Sequence, residues 1–355
     1  MAQWSFVTQN RNGSALGDVG PFLHARELDL LLNRPSIVRA SIDLNAPSAQ
    51  LNWLLAGETE LKVYRNGTAI ETVFQLSKIV IDVGSISGTI TLEWMGIASY
   101  LRDLPITADT DLATLQGTYA TNDPHCVLQH LMATDLGQAY AYAIAVGTVT
   151  GSLPTKAKIW TDSIDGLTAI EQLSERADGF DFAVNTSREL DIYYPYRGSD
   201  NGLVLQYDDG GNLAGFGYEI DAGPGRIITD ITGYGGGGLT STASDTTARA
   251  TYGRRQSITA YPAEVATQAA LDDYVEEDLK VAKAPMILPR LILRDGAIDW
   301  DDYDLGDTVN VQLRAGSGDY VDIDDDYRIV GISVRLSELD EETISLDLNE
   351  KRLVV

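Results

Sequence analysis

Apolar and polar residues alternate along long stretches of this chain, the pattern of strands with one face buried. Ile37-Val38-Arg39-Ala40-Ser41-Ile42-Asp43-Leu44 alternates and stops short of Pro47. Lys62-Val63-Tyr64 and Ile70-Glu71-Thr72-Val73-Phe74 flank Asn66-Gly67, a pair whose tolerance of positive φ suits a two-residue hairpin turn. Lys78 to Val83 and Thr89 to Trp94 complete a barrel-like set, which the segment Gly96 to Arg102 closes. These residues, 1–105, are predicted to form a first β-barrel domain.

From 106 to 196 the periodicity becomes mixed and predicts an α+β domain. Asp123-Pro124 opens a helix, with Asp as N-cap and Pro at the first position, that carries Cys126, Val127, Leu128, Leu131 and Met132. A second helix runs from about Asp165 to Ala177, with Leu167, Ile170, Leu173 and Ala177 at helical spacing and Gly179 as its stop. Phe180 to Val184 and Glu189 to Tyr194 pair through a turn at Asn185 to Arg188. Residues 197–285 return to strands around Leu203 to Tyr207 and Arg226 to Thr232. A Gly/Ser/Thr-rich stretch, Gly235 to Thr242, then reads as a flexible loop. A long helix from Pro262 to about Lys283 follows, and 286–355 form a second β-barrel segment.

The two ends of the chain echo each other. Gly57-Glu58-Thr59-Glu60-Leu61-Lys62-Val63 is matched by Gly306-Asp307-Thr308-Val309-Asn310-Val311. Arg65-Asn66-Gly67 is matched by Arg314-Ala315-Gly316, and Thr89-Ile90-Thr91-Leu92 by Thr343-Ile344-Ser345-Leu346. The expected fold is therefore mainly β with an α+β insert: two similar small tube-like β-barrels plus smaller mixed domains. Three subunits with two equivalent barrels each would make a six-fold ring.

Charge narrows the partners. With 52 acidic against 26 basic residues the net charge is −26, which repels nucleic acid because binding needs Lys and Arg to neutralise phosphates. Such a surface serves solubility or a salt-rich habitat, or else suits a conduit that nucleic acid slides past without sticking. No stretch approaches the roughly 20 apolar residues of a membrane helix. The start, Met1 to Phe6, has no basic region followed by an apolar run, so no secretory signal is visible. Cys126 is alone, which rules out an intramolecular disulfide.

Candidate chemistry is sparse. The Gly235 to Gly238 run lacks the Lys and the following helix of a phosphate loop. Asp322-Ile323-Asp324-Asp325-Asp326 resembles half a calcium loop, but Tyr327 and Ser333 stand where Gly and Glu are required, so a solvated acidic turn is the simpler expectation. His24, His125 and His130 are too scattered to make a zinc set with one Cys. No carboxylate pair stands out for glycoside hydrolysis. Arg254-Arg255 is the one basic pair beside a helix start, fit for an ion pair or an intersubunit contact. No catalytic, metal or cofactor-binding residue is assigned, and no cofactor is expected.

In this order and style the chain resembles the tail-tip and baseplate hub proteins of tailed bacteriophages, the tail-associated minor tail proteins related to contractile-tail baseplate hubs. The resemblance rests on Leu61 to Gly67, Gly96 to Leu101, Gly179-Phe180-Asp181-Phe182, and Tyr252-Gly253-Arg254-Arg255-Gln256 leading into a long helix. Leu305 to Val309, Tyr327 to Ile332 and Thr343 to Leu348 complete it. It implies a homotrimer whose six barrels adapt a six-fold tail tube to three-fold tip proteins. Its implied partners are the distal tail or tail tube protein, the tape measure protein and other tip proteins, with genomic DNA passing through unbound. The implied location is the virion tail tip, after assembly in the host cytoplasm, and no enzyme activity is expected. The alternative is a virion-associated or secreted carbohydrate-binding or glycan-degrading β protein. An adhesion protein using Tyr193, Tyr194 and Tyr196 is a third.

Overall fold

The computed structural model describes residues 2–47, 51–84, 88–103, 105–106, 144–151, 164–175, 179–208, 210–221, 223, 225–261, 265, 267–283, 286–315 and 321–350. Its fold is mainly β with a small mixed insert, as the alternation predicts. The first strands are β1 (Trp4–Asn10), β2 (Ala15–Asp18), β3 (Leu23–Leu31), β4 (Ile37–Asp43), β5 (Thr59–Arg65), β6 (Thr68–Val83) and β7 (Gly88–Gly96). Asn66 and Gly67, at φ 52° and 81°, make the tight turn between β5 and β6, the geometry that favours this dipeptide.

The insert comprises β8 (Pro105–Ile106), β9 (Ala145–Thr150), β10 (Ile164–Asp165), α1 (Gly166–Ser174), β11 (Asp181–Val184) and β12 (Glu189–Tyr193). Asp165 caps α1, its carboxylate accepting from the Thr168 amide at 2.9 Å, and Leu167, Ala169 and Ile170 face the core. β11 and β12 form the expected hairpin, with β9 added parallel to β12. The helix expected at Asp123-Pro124, with Cys126, His125 and His130, lies outside the described residues.

Next come β13 (Asp200–Tyr207), β14 (Leu213–Asp221), β15 (Asp230–Tyr234), β16 (Thr240–Ser244), α2 (Thr246–Tyr252), β17 (Gln256–Ala260) and α3 (Gln268–Ala282). The strands β18 (Met286–Leu293), β19 (Thr308–Ala315), β20 (Val321–Leu336) and β21 (Glu342–Glu350) complete the chain. Two expectations are corrected here. The Gly/Ser/Thr stretch is not a flexible loop: Gly236–Gly238 form one short 3-10 turn and Thr240–Ser244 pair antiparallel with β15. Gly235 and the preceding Gly233 make room for packing, since a Cβ on Gly233 would strike Val275 of α3 and one on Gly235 would lie 2.7 Å from the Val265 carbonyl. Arg254-Arg255 likewise leads into β17, with α3 starting only at Gln268.

Thirteen strands form one sheet, running β14-β18-β21-β20-β3-β4-β7-β6-β5-β1-β2, with β19 bridging β20 and β13. One continuous apolar core fills it, from Trp4 and Phe6 through Trp94 to Leu346 and Leu348. The insert has its own core around Leu101, Ile170, Phe182 and Ile192, and α3 packs Leu271 and Val275 over β15 in a third.

Candidate functional site: the paired β-units and their joints

The echo read from the sequence is a structural repeat. β6 and β20 are each 16 residues long, and β7 and β21 are each 9. The order β3-β4-β7-β6-β5 is repeated as β14-β18-β21-β20-β19. Both long strands carry a register shift at the same place, between Leu76 and Lys78 in β6 and between Ile329 and Gly331 in β20. The amide of Gly57 donates to the Leu76 carbonyl at 2.8 Å, and that of Gly306 to the Ile329 carbonyl at 2.8 Å. Even one cross-strand ion pair is repeated: Arg39 meets Glu93 at 3.0 Å, and Arg290 meets Asp347 at 3.1 Å. The flanking strands differ, since β1 runs antiparallel to β5 whereas β13 runs parallel to β19.

The two units are joined edge to edge. Gly331 to Leu336 of β20 pair antiparallel with Leu31 to Arg26 of β3. Across this seam Arg335 bonds Glu27 at 2.8 Å and the Ser333 hydroxyl donates to Asp29 at 2.7 Å. A second contact reinforces it: Arg65 grips Glu342 through two nitrogens, at 3.1 and 2.6 Å, while its guanidinium lies 5.0 Å from the Trp300 ring centre. Glu342 also accepts from Trp4 Nε1 at 3.2 Å, and its hydrogen bond is the largest cause raising the Arg65 pKa.

The insert clips onto both units at equivalent rungs. In the first unit, Glu60 sits opposite Gln75 and is fully buried, taking hydrogen bonds from Gln9, Tyr100 and Arg188. In the second, Arg328 occupies the position equivalent to Gln75, opposite Thr308, and bonds the buried Asp181 of β11. Asp181 also accepts from Asn33 Nδ2, in the β3–β4 connection, at 2.7 Å and from the Arg197 amide at 2.6 Å. Buried charges are tolerated because each is paired and hydrogen-bonded. Burial and the Glu60 carboxylate push the Tyr100 phenol well above its ordinary range. None of these joints was picked out from sequence.

The residues singled out earlier fall elsewhere. Asp322, Asp324 and Asp326 lie on β20, beside Arg314 at 3.3 Å, Gln312 at 3.5 Å and Asn310 at 3.2 Å respectively. Among the described residues no group of three or more His, Cys, Asp and Glu is arranged to hold a metal ion. His24 Nδ1 is 2.9 Å from Glu338. Tyr193 and Tyr196 lie under Arg197 and Arg328, at 5.6 and 5.5 Å. A cleft of about 420 Å³ opens between the units beside Arg65, Arg197, Trp300 and Tyr303.

No protein-family model matches the chain, and no curated protein matches it in sequence. Solved structures do match over nearly the whole length. The 43 kDa tail protein of prophage MuSo2 from Shewanella oneidensis has a TM-score of 0.65 at 11% identity, covering 97% of each chain. A tail protein from Neisseria meningitidis MC58 gives 0.62 at 15% identity, over 98% of this chain and 97% of that one. Prophage tail protein gp18 from Listeria monocytogenes EGD-e gives 0.60 at 15%, over 98% and 95%. The chain has the fold of these tail proteins.

Proposed function

We propose that this chain is a structural hub at the tip of a phage-type tail, a homotrimer whose six barrel-like β-units ring a channel and join tail tube to tip. The observation that carries the reading is the internal repeat, preserved down to the register shifts of β6 and β20. A duplicated unit lets three subunits present six near-equivalent faces to a six-fold tube, and closed symmetry is the ordinary form of such assemblies. The net charge of −26 fits a lumen past which DNA moves without binding. The partners in this reading are the tail tube protein, the tape measure protein and other tip proteins, and the location is the virion tail tip. The role is mechanical rather than enzymatic.

Among the described residues, the cleft beside Trp300 offers a glycan-binding reading an aromatic wall. Arg65 stacks on Trp300 and Trp4 meets it edge-on, with centroids 6.3 Å apart, so that ring is engaged in holding the units together. Light scattering over a concentration series tests the hub reading. Trimers, or monomers rising only to trimers and closed rings, support it. Monomers at all concentrations, with tail tube protein present, overturn it.

A further inference from the structure

Among the described residues the repeat leaves one joint unfilled. The seam between the units is made by the second half of β20, which pairs with β21 on one side and with β3 on the other. In the repeat, β20 corresponds to β6 and β3 corresponds to β14. The equivalent segment of β6, Lys78 to Val83, pairs with β7 on one side only, because the ladder with β5 starts at Gln75 and runs away from it. Among the described residues its second edge has no ladder. Its apolar residues are exposed there, Ile81 at 57% and Val83 at 71%. β14 stands at the end of the sheet order with β18 as its ladder partner. A long apolar strand edge left open is a liability that proteins normally cover or blunt.

We infer that the Lys78–Val83 edge of β6 pairs antiparallel with β14 of a second copy of this chain, reproducing between subunits the β20–β3 seam made within one. The register follows from the repeat. Glu27 and Gly217 hold equivalent places, since they stand opposite Arg39 and Arg290, the two arginines of the repeated ion pair. Transferring the Gly331–Leu31 and Leu336–Arg26 rungs sets Lys78 opposite Asp221 and Val83 opposite Phe216. Residues of opposite charge then share the first rung. Apolar residues share three others: Ile79 with Ile220, Ile81 with Tyr218, and Val83 with Phe216. Such cross-strand pairs are the unit of sheet stabilisation.

The joint is heterologous, a different surface on each side, so repetition produces a ring if the rotation closes. It rests on the hub reading and specifies how that ring is built. The test is disulfide trapping in the full chain carrying Cys126→Ser. Two variants, Val80→Cys with Glu219→Cys and Ile81→Cys with Tyr218→Cys, occupy adjacent rungs. Non-hydrogen-bonded rungs, where side chains approach closest, alternate along an antiparallel pair, so one variant has that geometry. At least one is expected to give covalent dimers and trimers under mild oxidation, while Ile81→Cys with Gly215→Cys, out of register, gives none. Trimers in solution with no cross-link in either variant overturn this interface and leave the hub standing. Monomers at every concentration overturn the ring itself. As an independent check, Ile81→Lys with Val83→Lys should leave a monomer with an unchanged circular dichroism spectrum and a melting temperature that no longer rises with protein concentration, and persistence of the trimer contradicts the proposal.

Discussion

Glu60 and Arg328 lie on the same rung of the two repeated units, Glu60 opposite Gln75 and Arg328 opposite Thr308, and both bond the same insert. The signs are exchanged: the first unit offers the insert a carboxylate and takes Arg188, while the second offers a guanidinium and takes Asp181. A duplicated scaffold is thus held to one unduplicated insert by two ion pairs of opposite polarity. The arrangement fixes which unit meets which edge of the insert.

The Asp181–Arg328 pair is the stronger test of this clip. Both side chains are nearly fully buried, so Arg328→Met should destabilise the protein by about 3–5 kcal/mol, the cost of leaving a buried charge unpaired. Asp181→Asn should cost a similar amount. The double variant should cost less than the sum of the two, which denaturant unfolding of all four proteins measures. Additive losses would mean the pair is not coupled.

Arg65 is predicted to resist conservative replacement. Lysine cannot reproduce the two-nitrogen grip on Glu342 together with the guanidinium stacked on Trp300. Arg65→Lys should lower stability by about 1–2 kcal/mol, the value of a charge-assisted hydrogen bond and part of a cation–π contact. Thermal unfolding reads this directly, and an unchanged transition would refute it.

The equivalent glycines should respond unequally. Gly57 and Gly306 share a positive φ, 78° and 91°, and the same amide hydrogen bond. A Cβ on Gly57 meets nothing nearer than 4.0 Å, whereas one on Gly306 strikes the Arg197 carbonyl, part of the chain leading from the insert into β13. Gly57→Ala should cost about 1 kcal/mol, the strain of the left-handed backbone alone. Gly306→Ala should cost at least twice that and loosen the insert, which faster amide hydrogen exchange at Asp181 to Val184 would show.

Stability should fall at alkaline pH. Burial is the leading cause raising the phenols of Tyr100, Tyr261 and Tyr303 above their ordinary value. A group whose folded pKa is raised contributes stability that is complete below its unfolded pKa, about 10, and is lost as pH rises from there toward the folded value. Phenolate absorbance from these three should therefore appear together with unfolding. Full ionisation with the fold intact would contradict the burial described.

The repeat was legible in the sequence because its markers are local. A Gly–acid turn, an alternating strand and a returning strand each occupy a few residues, and Asn66-Gly67 specifies its turn chemically. The joints were not legible. Glu60 and Arg188 are 128 positions apart and Asp181 and Arg328 are 147 apart, and nothing local selects those partners among 52 acids and 26 bases. The Gly235 to Thr242 stretch was misread because composition does not reveal what a glycine is for. Gly233 and Gly235 are small so that α3 and the Val265 backbone can approach, and Thr240 and Thr242 pair with Tyr234 and Thr232 as ordinary strand residues. The free edge of β6 reads in sequence like any other strand, and only the register of β20 against β3 reveals that, among the described residues, the equivalent edge carries no second ladder.

Electron microscopy of the purified assembly tests the central claim most directly. The account predicts class averages with six similar lobes around an open centre, reducing to three-fold symmetry at higher detail. Particles of one chain, or a two-fold dimer lacking a channel, would contradict it.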